Sequence, residues 1–188
     1  GLRSVKAAES YAGGIAGSLG TAHAGGLINN TLGLADFLPF NVSSVTVTGI
    51  ADGFTVTAGD TCAAAGIGKA TGGKIGRADA AYGEASAAPA TSVVAISNIK
   101  SVAAKNNAAG FAGAVGPGEL ASTGGLDLLG LGLLQANGLL GVGAGLEVKM
   151  DGVTVSGVPA GMEIAATGTN AEGQKRDYTA AGFIASAN

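Results

Sequence analysis

The sequence predicts an all-β fold: a right-handed parallel β-helix (a solenoid) carrying short Leu-rich helical inserts. Three observations predict it. A motif of small residues around one large apolar side chain recurs along the chain. Short Val/Thr alternations are broken by Gly at close intervals. The composition suits a thin core: Gly is 35 of 188 residues, aromatics are 4%, and Trp is absent.

The recurring motif is clearest at Ala108-Ala109-Gly110-Phe111-Ala112-Gly113. Tyr11-Ala12-Gly13-Gly14-Ile15-Ala16-Gly17 and Thr179-Ala180-Ala181-Gly182-Phe183-Ile184 are further copies, and Ala63-Ala64-Ala65-Gly66-Ile67-Gly68 is a weaker fourth. One large side chain in six cannot make a core alone. Copies stacked on each other can, with Ile or Phe filling an interior slot and Gly or Ala permitting close backbone approach.

Longer blocks also recur in order. Leu2-Arg3-Ser4-Val5 matches Ile99-Lys100-Ser101-Val102, and Gly25-Gly26-Leu27 matches Gly124-Gly125-Leu126. Val45 to Val56 matches Val153 to Ile164, and Ala64-Ala65-Gly66-Ile67 aligns with Ala180-Ala181-Gly182-Phe183. Residues 1–188 therefore read as one domain of two related units, about 2–98 and 99–188. The second unit stops where its next strand is due, so a longer array is expected.

Within each unit, Val45-Thr46-Val47-Thr48, Phe54-Thr55-Val56-Thr57, Glu147-Val148-Lys149-Met150 and Val153-Thr154-Val155-Ser156 alternate with a period of two, the signature of half-buried strands. Corners fall at Gly49, Gly53, Gly59, Gly152, Gly157, Gly161 and Gly168. A turn of roughly 20–25 residues rising about 4.8 Å would give six to eight rungs. The Leu-rich stretches Leu27 to Leu38 and Leu126 to Leu140 read as short helical inserts, although Gly130, Gly132 and Gly138 weaken the second.

Charge and composition exclude several function classes. A net charge of -3 with no Lys/Arg stripe argues against nucleic acid. Lys69, Lys74 and Arg77, and the pair Lys175-Arg176, read as solvated loop charges. Residues 126–146 are apolar over a span length, but Asp127, Gln135, Asn137 and several glycines argue against a membrane helix. Cys62 is the one cysteine, so no internal disulfide forms.

Chemistry-bearing residues are sparse. His23, the single histidine, has no acid within ten residues to complete a metal site or a triad. Ala16-Gly17-Ser18-Leu19-Gly20 approaches a nucleophile elbow but has Ala at its first Gly position. Cys62 reads as a buried small thiol. Asp52 with Asp60, and Asp151 with Glu163, are the carboxylates a sugar-cleaving enzyme could use, yet Asp52 falls opposite Ala160 in the repeat. Gly72-Gly73-Lys74-Ile75-Gly76 lacks the Gly-Lys-Ser/Thr ending of a phosphate loop. Thr46, Thr48, Thr55 and Thr57 point outward if Val and Phe point in, and only a regular array of them would suit ice. No catalytic, cofactor or metal residue is assigned.

The Gly-Gly-Ile-Ala-Gly and Ala-Gly-Phe-Ala-Gly blocks resemble the glycine-rich GLUG-type repeat of bacterial surface proteins. The block order is similar to β-helical regions of cell-wall proteins in Gram-positive bacteria. By this resemblance Gly14, Ile15, Gly17, Gly110, Phe111, Gly113, Gly182 and Phe183 are structural rung positions, while Ala109 and Ala181 depart from the pattern. The resemblance implies extracellular display, adhesion or spacing, with no cofactor. The expected function is a non-enzymatic structural or adhesive module of a surface protein or fibre. Its expected partners are neighbouring copies stacked end to end, or surface glycans and proteins. A carbohydrate-active β-helix enzyme and a glycan- or ice-binding face are the alternatives.

Overall fold

Alternating β-branched and hydroxyl residues make strands, and small residues let those strands stack. The structure, a computed structural model, describes residues 1–20, 22–23, 37–38, 40–76, 94–117, 147–169 and 178–187. The described residues form strands and no helix.

Four sheets are built entirely of parallel pairs. The first contains β1 (Ser4–Ala7), β7 (Val45–Thr48), β8 (Phe54–Ala58), β12 (Val94–Ala104), β16 (Val153–Gly157) and β17 (Glu163–Ala166). The second contains β2 (Tyr11–Gly13), β9 (Cys62–Ala64), β13 (Asn107–Ala109) and β18 (Thr179–Ala181). The third contains β3 (Ala16–Leu19), β10 (Ile67–Thr71), β14 (Ala112–Gly116) and β19 (Ile184–Ala187). The fourth contains β6 (Phe40–Val42), β11 (Gly73–Gly76) and β15 (Val148–Asp151). Apart from these, β4 (Ala22–His23) and β5 (Phe37–Leu38) form a short antiparallel pair.

The chain visits the sheets in a fixed order and returns, making four passes. Register fixes the length of a pass: 51 residues from Ser4 to Thr55, 46 from Thr55 to Ser101 and 62 from Ser101 to Glu163. This corrects the expected 20–25-residue turn. Each pass threads several strands, so the stack of described strands is four layers deep, about 19 Å at 4.8 Å per layer. The recurring blocks matched about a hundred residues apart lie two passes apart, and the intermediate pass stands between them.

Pass position decides burial. The largest fully buried side chains are Phe54, Phe111, Ile67, Ile75, Ile96, Ile99, Val56, Val94 and Val102, all from the two inner passes. Their counterparts Val5, Val45, Val47, Val153, Val155 and Ile164 are only partly buried, because each lies on a strand paired with a described strand on one side only. Each fully buried residue of this size contributes about 1.5–3 kcal/mol.

β12 is the longest strand because its neighbours are each split in two. β7 and β8 line one edge, and β16 and β17 line the other. Both neighbours break at the same turn: Gly53 N–H donates to Ile50 O at 2.8 Å and Gly161 N–H to Val158 O at 2.8 Å. Gly53 and Gly161 take φ of 85° and 98°, the left-handed region that favours glycine. Opposite the breaks, β12 bulges at Asn98, whose φ is 59° and whose Nδ2 donates to Gly49 O at 3.3 Å.

The two Leu-rich stretches fall at equivalent places in the strand order. One lies between β3 and β6, the other between β14 and β15. Residues 126–140 lie outside the described residues. Of Leu27 to Leu38, the described end, Phe37–Leu38, is strand rather than helix, held by pairing with Ala22–His23.

Candidate functional site

The residues considered for catalysis are scattered over the stack. Asp52 lies in the turn before β8 and Asp60 in the corner after it. Four strand steps separate the ends of β8, roughly 13 Å, beyond the 5–9.5 Å that glycoside hydrolysis needs. Likewise β16 separates Asp151 from Glu163. Asp60 instead meets Lys105 of the next pass, Oδ1 to Nζ 3.2 Å, with both side chains about half exposed. Such a pair contributes little, so Asp60→Ala and Lys105→Ala are each expected to change stability by less than about 1 kcal/mol in urea titrations.

Ser18 is exposed in the middle of β3, on regular strand rather than a strained elbow. β11, which contains Gly73 to Gly76, pairs with β6 on one edge and β15 on the other, so its backbone groups serve the sheet. His23 sits in β4 opposite Phe37. Among the described residues, no three His, Cys, Asp or Glu side chains gather where they could hold a metal ion. No helix among them is long and apolar enough to cross a membrane. Lys69 lies over the Tyr11 ring, 5.5 Å from its centroid, an interaction between neighbouring passes.

Cys62 is buried, at 5% exposure, and accepts a contact from Asn107 Nδ2 at 3.6 Å. Burial pushes its thiol pKa above the ordinary 9.0, against the opposing pulls of Asn107 and Lys69. The raised value means that the protonated thiol stabilises the fold below pH 9, and this contribution is lost as pH rises through the folded value. Stability measured from neutral to alkaline pH should therefore fall less steeply in Cys62→Ala than in the wild type. Identical slopes would contradict the assignment.

The outward face of the first sheet carries hydroxyls, as the alternation predicts. Thr46, Thr48 and Thr57 are exposed, while Phe54 and Val56 are buried. The threonines do not line up from pass to pass. Thr46 is followed by Ala95 and Thr154, Thr55 by Ser101 and Glu163, and Thr57 by Ala103 and Ala165.

What the stack does present is its two ends. Among the described strands, β1, β2, β3, β6 and β7 are edge strands on the first-pass side, and β15 to β19 on the last-pass side. The ends differ in openness. In the column Ala12, Ala63, Ala108, Ala180, only Ala180 is exposed. Next to it, Phe183 is the one exposed large apolar residue among those described, at 40%. Its ring stacks on Phe111 in the pass beneath, with centroids 5.3 Å apart and planes 17° from parallel.

Comparison with family models, curated proteins and solved structures finds no match. The stack itself therefore carries the functional reading.

Sequence reasoning found the motif columns but misaligned one. In the register, Gly66 stands level with Ile15, Phe111 and Phe183, and Ile67 stands level with Ala16, Ala112 and Ile184. The large side chain of the second pass is thus shifted by one residue. The reason is volume: a Cβ at Gly66 would meet the Phe111 ring at 2.7 Å, so the ring fills the space that Gly66 leaves. The Ala-rich run before Gly66 was the available signal, because it makes the weaker copy differ from the others.

Proposed function

We propose that the stacked sheets wind into a right-handed parallel β-helix, and that this coil is a non-enzymatic structural or adhesive module of a bacterial surface protein or extracellular fibre. The observation that carries the reading is the set of continuous columns that end on edge strands at both ends of the stack. Parallel strands joined by crossovers in one sheet are almost always right-handed, which supports the hand of the coil. The GLUG-type resemblance supports display at a Gram-positive cell surface. Its partners on this reading are further copies and surface glycans or proteins.

The test is to incubate the chain with cell-wall polysaccharides, host-surface glycans and matrix proteins, assaying retention and new reducing ends together. Retention on one of these with every polymer intact supports the adhesive role. New reducing ends in any polymer would overturn the non-enzymatic reading in favour of a carbohydrate-active enzyme.

A further inference from the structure

Gly182 is a glycine without a reason inside one copy. A Cβ there would meet nothing within 4 Å, and its φ lies outside the left-handed range. Every other described glycine has either a neighbour within 4 Å of that position or a positive φ. Its column explains the choice. Gly14, Ala65, Gly110 and Gly182 stand level on successive passes. A Cβ on Gly14 would collide with the carbonyl of Ala65, and one on Gly110 with the carbonyl of Gly182. The one methyl in the column is that of Ala65. At Gly182 the colliding layer would be a fifth pass.

We infer that this fifth pass is the first pass of a second copy, so that copies join head to tail with Gly182 over Gly14. The inference rests on the coil reading above and adds its partner and register. Continuing the columns sets Thr179 on Tyr11, Ala180 on Ala12 and Ala181 on Gly13. Ile184 falls on Ala16, reproducing the pairing of Ile67 with Ala16 within one copy. Phe183 falls on Ile15, which removes its exposed ring from water. Charge agrees as well. Exposed Glu163 on β17 comes level with Ser4 of β1, beside Arg3 and diagonal to exposed Lys6. Two different faces meet, so the contact does not close on itself and continues as an open fibre.

The experiment compares the wild-type chain with Gly182→Val by sedimentation velocity over a concentration series, with thermal unfolding of each. The wild type is expected to lengthen with concentration. Gly182→Val is expected to keep the wild-type Tm and to weaken association by about tenfold or more. Lys6→Glu and Glu163→Lys should each weaken association, and an equimolar mixture of the two should restore part of it. Growth that Gly182→Val leaves untouched overturns the register while the fibre reading stands. A wild-type chain that stays monomeric at every concentration overturns the inference itself, and the polymer panel then judges the adhesive reading alone.

Discussion

Phe111→Ala is expected to lower the free energy of unfolding by about 3–5 kcal/mol, the range for emptying a buried aromatic site. Phe111 is fully buried on an inner pass, fills the slot above Gly66 and stacks on Phe183. Its loss removes contacts in three successive layers. At about 2–4 °C per kcal/mol for a chain of this size, the expected fall in Tm is on the order of 10 °C. Urea titration with an unchanged m-value would assign the loss to the folded core. A loss below about 1 kcal/mol would show that Phe111 is not a core residue.

Gly66→Val is the complementary change and should cost about 3 kcal/mol, at the upper end for overpacking. Its Cβ would meet the Phe111 ring and the Phe111 carbonyl oxygen, each at 2.7 Å. The ring can be removed by mutation and the carbonyl cannot. In a double-mutant cycle, Gly66→Val with Phe111→Ala should therefore destabilise by less than the two changes summed, with the rescue only partial. Strict additivity would place the two residues apart and contradict the one-residue offset between passes.

These two residues also show what the sequence makes legible. Val/Thr alternation located β7, β8 and β16, and Gly breaks located the turns at Gly53 and Gly161. The matched blocks at Val45 and Val153 are neighbours of one strand, β12, on its opposite edges. Composition gave the thin core of Ala, Val and Ile. Pass length was hidden, because the number of residues between strands varies while only the short motifs repeat. The offset at Gly66 was hidden for a different reason. Sequence alignment matches large residues with large ones, whereas packing here sets Phe111 against Gly66 and Ile67 against Ala112. The end surfaces were foreseeable as open rungs, but the significance of Gly182 needed the geometry of Gly14 and Gly110 for comparison.

The most direct test of the stacked-pass account is electron microscopy of the assembled wild-type chain, with the axial rise per copy measured from the images. Four passes per copy predict rods with a rise of about 19 Å, divided into layers of about 4.8 Å. Compact particles that never lengthen, or rods whose rise per copy does not correspond to four layers, would contradict it.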